Sequence, residues 1–296
     1  MTPGSSAPPG RLFLVSRLAI VASLWGSSFI VMKLMAADLP PFLIAALRGL
    51  VAAATLVVFF LATGRSLRMR RGEALAFLAM GTLHGWLPNA LTVYAVAGLG
   101  AGLAAIFATT TPLVTAVLTQ VFLPSDRLTG RQAAGLVIGF SGVGVLIGPD
   151  AITRADVALW PALAMIATAV SYAIGNVYVR TLPAIPAERL AIGQQTTAGV
   201  IALALALAFE PWSAWTRAPA HWLDAVLLGA VFSALPFTLF MWLIQRAGPV
   251  RATLVGYLVP LVAAALAVGF FGETLAMRHI IGGAIVLAGV ALTTRR

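Results

Sequence analysis

Cysteine is absent from this chain. Disulfides, thiolate nucleophiles and thiolate-based metal sites are thereby excluded. Charge is nearly as scarce, at 9% of the 296 residues, against about a quarter in soluble domains. Of the three histidines, His221 and His279 stand at the ends of apolar runs and only His84 lies within one. Neither a nucleophile–base pair nor a His/Asp metal set can be assembled from this inventory, so no enzyme, metal or cofactor is expected. No carboxylate falls deep inside an apolar run either, which argues against an Asp/Glu proton relay.

Apolar residues fill the space that charge leaves. The chain is 60% hydrophobic with a mean hydropathy of +0.99, the composition of a polytopic membrane protein. A crossing needs about 20 mostly apolar residues, and ten such segments fall between marks of Pro, Gly and charge. They span 12–34, 41–63, 73–96, 101–123, 130–148, 158–180, 188–209, 222–245, 250–271 and 278–294. An all-α membrane protein of ten transmembrane helices is expected, with the lipid bilayer as its surroundings. Residues 1–11, MTPGSSAPPGR, read as a disordered tail with no cleavage site of a secretory signal.

The formal charge of +10 follows from topology. With the N-terminus cytoplasmic, only Lys33, Arg154, Arg217 and Arg278 fall on the outer side and only Arg48 inside a segment. All other basic residues face inward, so the positive-inside rule puts both termini in the cytoplasm of a bacterial inner membrane. No nucleic-acid partner is implied.

Sliding the chain along itself by 147 residues lays Trp25 on Tyr172, Lys33 on Arg180, Arg48 on Gln195, Asp126 on Glu273, Arg131 on Arg278, Gly135 on Gly282 and Gly142 on Gly289. A shift of 148 lays Pro88 on Pro236 and Pro112 on Pro260. The chain is a duplication, divided as 12–148 and 158–294. Five crossings per half is an odd number, so the halves form two inverted five-helix repeats around a central cavity. A proline within a helix frees a backbone carbonyl, tolerated in a membrane only where protein or a water-filled cavity covers it. Pro88, Pro112, Pro236 and Pro260 are therefore expected to break helices at the midplane and act as hinges. Between Gly81 and Val114 the reading is two such broken helices joined by a tight glycine turn. Segments five and ten, rich in glycine and poor in polar groups, read as scaffold or subunit contact, in a monomer or a homo-oligomer.

The run Trp25-Gly26-Ser27-Ser28-Phe29 ending at Lys33, the pair Thr111-Pro112-Leu113 and Val259-Pro260-Leu261, and Gly272-Glu273-Thr274-Leu275 followed by Gly282 and Gly289 resemble the drug/metabolite transporter superfamily, EamA type. Within it the pattern is most similar to the YddG-type amino-acid exporters. The first half departs in carrying Ser125-Asp126-Arg127-Leu128 where the second has the Gly-Glu form. The resemblance implies a secondary transporter, an exporter or facilitator, for amino acids or similar small metabolites. Multidrug or cation efflux and other metabolite exchange on the same fold stay open beside it.

Mid-span polar and aromatic residues supply the candidate substrate-binding set: Trp25, His84, Trp86, Asn89, Tyr172, Asn176, Gln194, Gln195 and Tyr257. Aromatic faces hold ammonium groups and apolar side chains, while amides and hydroxyls meet carboxylates. An amino acid offers all three. His84 is also the candidate for proton coupling, whereas Glu273 and Asp126 read as caps beside helix starts. Trp160, Trp212, Trp215 and Trp222 read as interfacial belt residues, and Lys33 and Arg180 as side chains that snorkel to headgroups.

Overall fold

A computed structural model describes residues 11–64, 70, 72–126, 128–147, 159–182, 185–271 and 277–294. All its regular structure is helical. The tail before Arg11, Arg154 and Glu273 lie outside the described residues, as does most of the Arg65–Arg71 loop.

Helices α1 (Arg11–Met35) and α2 (Pro41–Ala62) are unbroken apolar runs. Next come α3 (Ala74–Gly81), a π-helical turn at Thr82–Trp86 and α4 (Leu87–Ala108), then α5 (Thr111–Phe122) and α6 (Gly130–Ile147). The second half begins with α7 (Leu159–Thr181) and α8 (Ala187–Phe209). It continues with the short α9 (Trp212–Arg217) and α10 (Trp222–Val226), a π-helical stretch at Leu227–Ala234 and α11 (Leu235–Ala247). It closes with α12 (Pro249–Thr253), α13 (Val255–Phe271) and α14 (Met277–Thr294). Among the described residues five stretches, Leu12–Met35, Pro41–Ala62, Leu159–Thr181, Ala187–Phe209 and Trp212–Ala247, are long and apolar enough to cross a membrane.

Contacts run mainly between the halves. Helix α2 packs on α8, α6 on α14, α4 and α5 on α7, and α1 on α13. Small residues permit this closeness, because without a hydrophobic force between spans the helices must gain from tight packing. A Cβ at Gly49 would lie 2.8 Å from the Cα of Gly199, and one at Gly26 would lie 2.9 Å from Val262 Cγ1. Along α6 and α14 the seam is tighter still, with a Cβ at Gly135 falling 2.8 Å from the Gly289 carbonyl oxygen and one at Gly142 falling 2.6 Å from the Val286 nitrogen. Outward faces carry exposed Phe59, Phe122, Phe140 and Phe209, and the belt residues Trp160, Trp212 and Trp222 are exposed as well. Trp215 instead packs half-buried against the core.

The glycine turn expected between the third and fourth segments is not where the chain breaks. Helix α4 runs through Gly98 and Gly100 to Ala108, and the interruption comes at Thr109–Thr110. A glycine costs a helix only about 1 kcal/mol, and Gly98 gives room to Pro161, whose Cγ would lie 2.5 Å from a Cβ there. Pro112 consequently occupies the second position of α5, where its missing N–H would have had no helical partner anyway. Only Pro260 lies well inside a helix, α13.

Candidate functional site

Each half contains a helix break. The first is Thr82–Trp86, where Gly85 leaves helical geometry at φ −121° and ψ −112° and Pro88 follows at the second position of α4. Proline has no N–H for the carbonyl four residues earlier, which here belongs to His84. Gln194 of α8 supplies the missing donor, its Nε2 donating to that carbonyl at 2.9 Å. The neighbouring Leu83 carbonyl accepts from Ser171 Oγ of α7 at 2.9 Å.

The second break is Leu227–Ala234, again followed by proline at the second position of a helix, Pro236 of α11. Ser233 turns its hydroxyl back to the Leu228 carbonyl at 2.7 Å. Arg48 of α2 donates from Nε to that same Ser233 oxygen at 2.7 Å. Each break is therefore served by a side chain from the other half.

A cavity of about 100 Å³ is bordered by residues of α1, α2, α4, α5, α7, α11, α12 and α13. Trp25, Phe29 and Phe240 give it aromatic walls, and Met32, Met165, Val255 and Val259 aliphatic ones. Ser28, Thr92, Thr111, Thr168, Tyr172 and Thr253 contribute hydroxyls, Asn176 an amide and Arg48 the charge. Tyr172 donates its hydroxyl to Asn89 Oδ1 at 3.4 Å. Asn176 donates to Thr115 Oγ1 at 3.2 Å, which leaves its own Oδ1 without a partner.

Of the residues singled out in the sequence, Trp25, Tyr172 and Asn176 border the cavity. His84 and Asn89 sit behind it. His84 is fully buried, its Nε2 lies 2.9 Å from the Tyr172 carbonyl, and its ring stacks on Phe240 and meets Tyr172 edge-on. A carbonyl can only accept, so that nitrogen carries the proton. The lining residues Tyr172 and Phe240 thus rest on the imidazole. Trp86 is turned away from the cavity, donating to Thr82 Oγ1 at 3.2 Å with its ring beside Phe42. Gln194 is used on the first break, and Gln195 is fully buried with both amide atoms unpartnered among the described residues. Tyr257 points to the scaffold, donating to the Leu136 carbonyl at 3.1 Å and lying under Gly139. The hydroxyl ring of Thr92, Thr111, Thr168 and Thr253 escaped the sequence reading, because threonines in apolar helices usually bond their own backbone.

Polar clasps between the halves lie toward the ends of the bundle. Arg180 holds Asp126 through two bonds of 2.6 and 3.0 Å, and Arg189 reaches Glu73 at 3.0 Å. Elsewhere His221 bridges Asp38 and Asp224 at 3.0 and 2.9 Å. Glu210 caps α2, accepting from the N–H groups of Phe42 and Leu43 at 2.6 and 2.8 Å. Burial raises its carboxyl above the ordinary range, against these two bonds that favour the ionised form. Arg180 is therefore an ion-pair member, and Asp126 binds a guanidinium instead of capping a helix.

Membrane-length apolar helices enclosing a mostly apolar cavity with a few polar groups fit a multi-pass membrane transporter. The chain belongs to the EamA-like transporter family, whose model matches it twice, over residues 14–148 and 159–295. It is similar to the uncharacterized inner membrane transporter YedA of Escherichia coli K12, at 27% identity over 92% of this chain and 87% of that protein. A probable terminal-alkyne amino-acid exporter of Streptantibioticus cattleyicolor is 29% identical, with 66% of this chain and 65% of that one covered. A solved crystal structure matches with a TM-score of 0.73 at 23% identity, covering 94% of this chain and 96% of its own, which supports the fold. Transport of small molecules is what the family and these relatives have in common.

Proposed function

We propose that the protein exports amino acids and related small metabolites across a bacterial inner membrane by alternating access, from two inverted five-helix repeats with both termini cytoplasmic. The carrying observation is a cavity bordered by residues of both halves, where aromatic rings, hydroxyls, an amide and an aliphatic wall meet. Rings suit an ammonium, donors suit a carboxylate and the aliphatic wall suits a variable side chain. Similarity to a probable amino-acid exporter supports that choice of substrate. Among the described residues no acidic side chain borders the cavity, so a drug cation would lack a counter-charge there. Pro88, Pro112, Pro236 and Pro260 serve as hinges in this scheme. The π-helical breaks beside Pro88 and Pro236 support it, since their carbonyls are held by replaceable side-chain bonds.

Purified protein in liposomes, challenged with labelled amino acids with and without a pH gradient, tests the function. Uptake of labelled amino acid above empty-liposome level is the expected result, and none for any amino acid would overturn the reading. Transport abolished by removing the gradient would replace facilitated export by proton-coupled export. Single cysteines at Ser66 and Ser213 should label from opposite sides of the membrane, and same-side labelling would remove the inverted topology.

A further inference from the structure

We propose that Arg48 is the anchor for the substrate's carboxylate, so that the cavity selects amino acids and other monocarboxylates over amines. The inference rests on the cavity being the substrate site of an exporter.

Among the described residues Arg48 is the one charged residue that borders the cavity. It is 4% exposed, and among the described residues no carboxylate pairs with it. Its nitrogens are unequally used. Nε donates to Ser233, and Nη1 meets only the Met32 sulfur at 3.5 Å, a weak acceptor. Nη2 has no hydrogen-bond partner among the described residues. A buried charge is costly unless paired and hydrogen-bonded, and guanidinium presents its free nitrogens as a planar fork that fits a carboxylate in two parallel bonds. The tether to Ser233 fixes that fork while consuming only Nε. Beside it, Phe237 lies 5.8 Å from Arg48 Cζ by its ring centroid, which restricts the side chain without supplying an anion.

The rest of the lining fits the remainder of such a substrate. The rings of Trp25, Tyr172 and Phe240 border the same space, and aromatic faces can hold an ammonium. Met32, Met165 and Val259 take an apolar side chain. A purely structural arginine would account for the bond to Ser233 but not for its place on the cavity wall.

The test uses three probes of nearly equal size: leucine, its deaminated acid 4-methylpentanoate and its decarboxylated amine isopentylamine. Binding to the full-length protein in lipid nanodiscs is measured by competition and by ligand-induced thermal shift. Wild type should bind both acids at least tenfold more tightly than the amine, the factor that corresponds to about 1.4 kcal/mol. Arg48→Gln should erase that preference, and Arg48→Lys, which keeps the charge but loses the fork, should retain only part of it. A wild-type protein that binds the amine as well as the acids, or binds none of the three, overturns the proposal. So does an Arg48→Gln variant that inserts normally, weakens acids and amine alike and keeps their ratio, since that is how a structural arginine behaves. Where the Gln variant fails to insert, the wild-type ratio and the Lys variant decide. Failure of the exporter reading looks different: the acids bind with the expected preference, yet liposomes show no amino-acid flux.

Discussion

The break ahead of Pro88 and the break ahead of Pro236 solve one problem by different chemistry. Both leave a backbone carbonyl short of a donor inside an apolar helix, where an unmet polar group is expensive. At the first, a neutral amide from Gln194 covers the His84 carbonyl. At the second, the Ser233 hydroxyl bonds the Leu228 carbonyl within the break and is itself held by the Arg48 guanidinium. Gln195 is the repeat-mate of Arg48, yet the residue at work in α8 is its neighbour Gln194. The first break is therefore sealed by a neutral bond away from the cavity, and the second carries a charge on the cavity wall.

The largest way to break the comparison is at the neutral side. Gln194→Leu leaves the His84 carbonyl without a donor in a dry helix contact and should cost about 2–3 kcal/mol, read as a lower melting temperature in detergent. An unchanged melting point would mean that the π-turn satisfies that carbonyl by itself. At the charged side Ser233→Ala removes the tether but leaves Arg48 in place. It should cost about 1 kcal/mol and blunt discrimination between acids and amines more than it lowers stability. The same loss at both positions would make the two breaks equivalent.

Pro88→Ala and Pro236→Ala restore a backbone donor to each break. Both should slow turnover several-fold while substrate affinity stays within about twofold; wild-type rates in both would make the prolines packing features. His84→Ala empties the space behind Tyr172 and Phe240. It should weaken large amino acids several-fold with the pH profile of transport unchanged, because the imidazole is enclosed among Tyr172, Gly175 and Phe240. A shifted profile would return His84 to proton coupling.

The smallest effect concerns Glu210, which fixes the start of the helix that carries Arg48. Its carboxyl is raised in the folded protein, first by burial. Its contribution is therefore present below the ordinary Glu pKa and lost as pH rises through the raised value. Wild type should gain stability relative to Glu210→Gln as pH falls from 7 to 4, by under about 1 kcal/mol given its partial exposure, read as a rise in relative melting temperature. A constant difference across that range would contradict the sign.

What the sequence made legible was periodic or internal to one residue type. Paired prolines at a fixed offset marked both breaks, and glycines at repeat positions marked the α6–α14 contact. Arg48 stood out as the one basic residue inside a segment, but nothing in the chain tied it to Ser233, 185 residues away. His84 looked like a cavity residue because imidazole against lipid is costly. The Tyr172 carbonyl on another helix removes that cost. Trp86 and Tyr257 were misplaced for a related reason, since depth along a helix is readable from sequence whereas the direction a side chain faces depends on its neighbour. The displaced glycine turn shows the same limit: Gly98 marks where Pro161 needs room, not where the helix ends.

The seam between α6 and α14 has a mechanical meaning. Helices that meet through side chains can slide, because rotamers yield, whereas helices that meet backbone to backbone at Gly135, Gly142 and Gly289 are geared like teeth with no slack. A step of one residue along the seam would drive a Cβ into a carbonyl. In the alternating-access scheme proposed above, this pair would be the stator, the fixed frame against which the proline-broken helices rock.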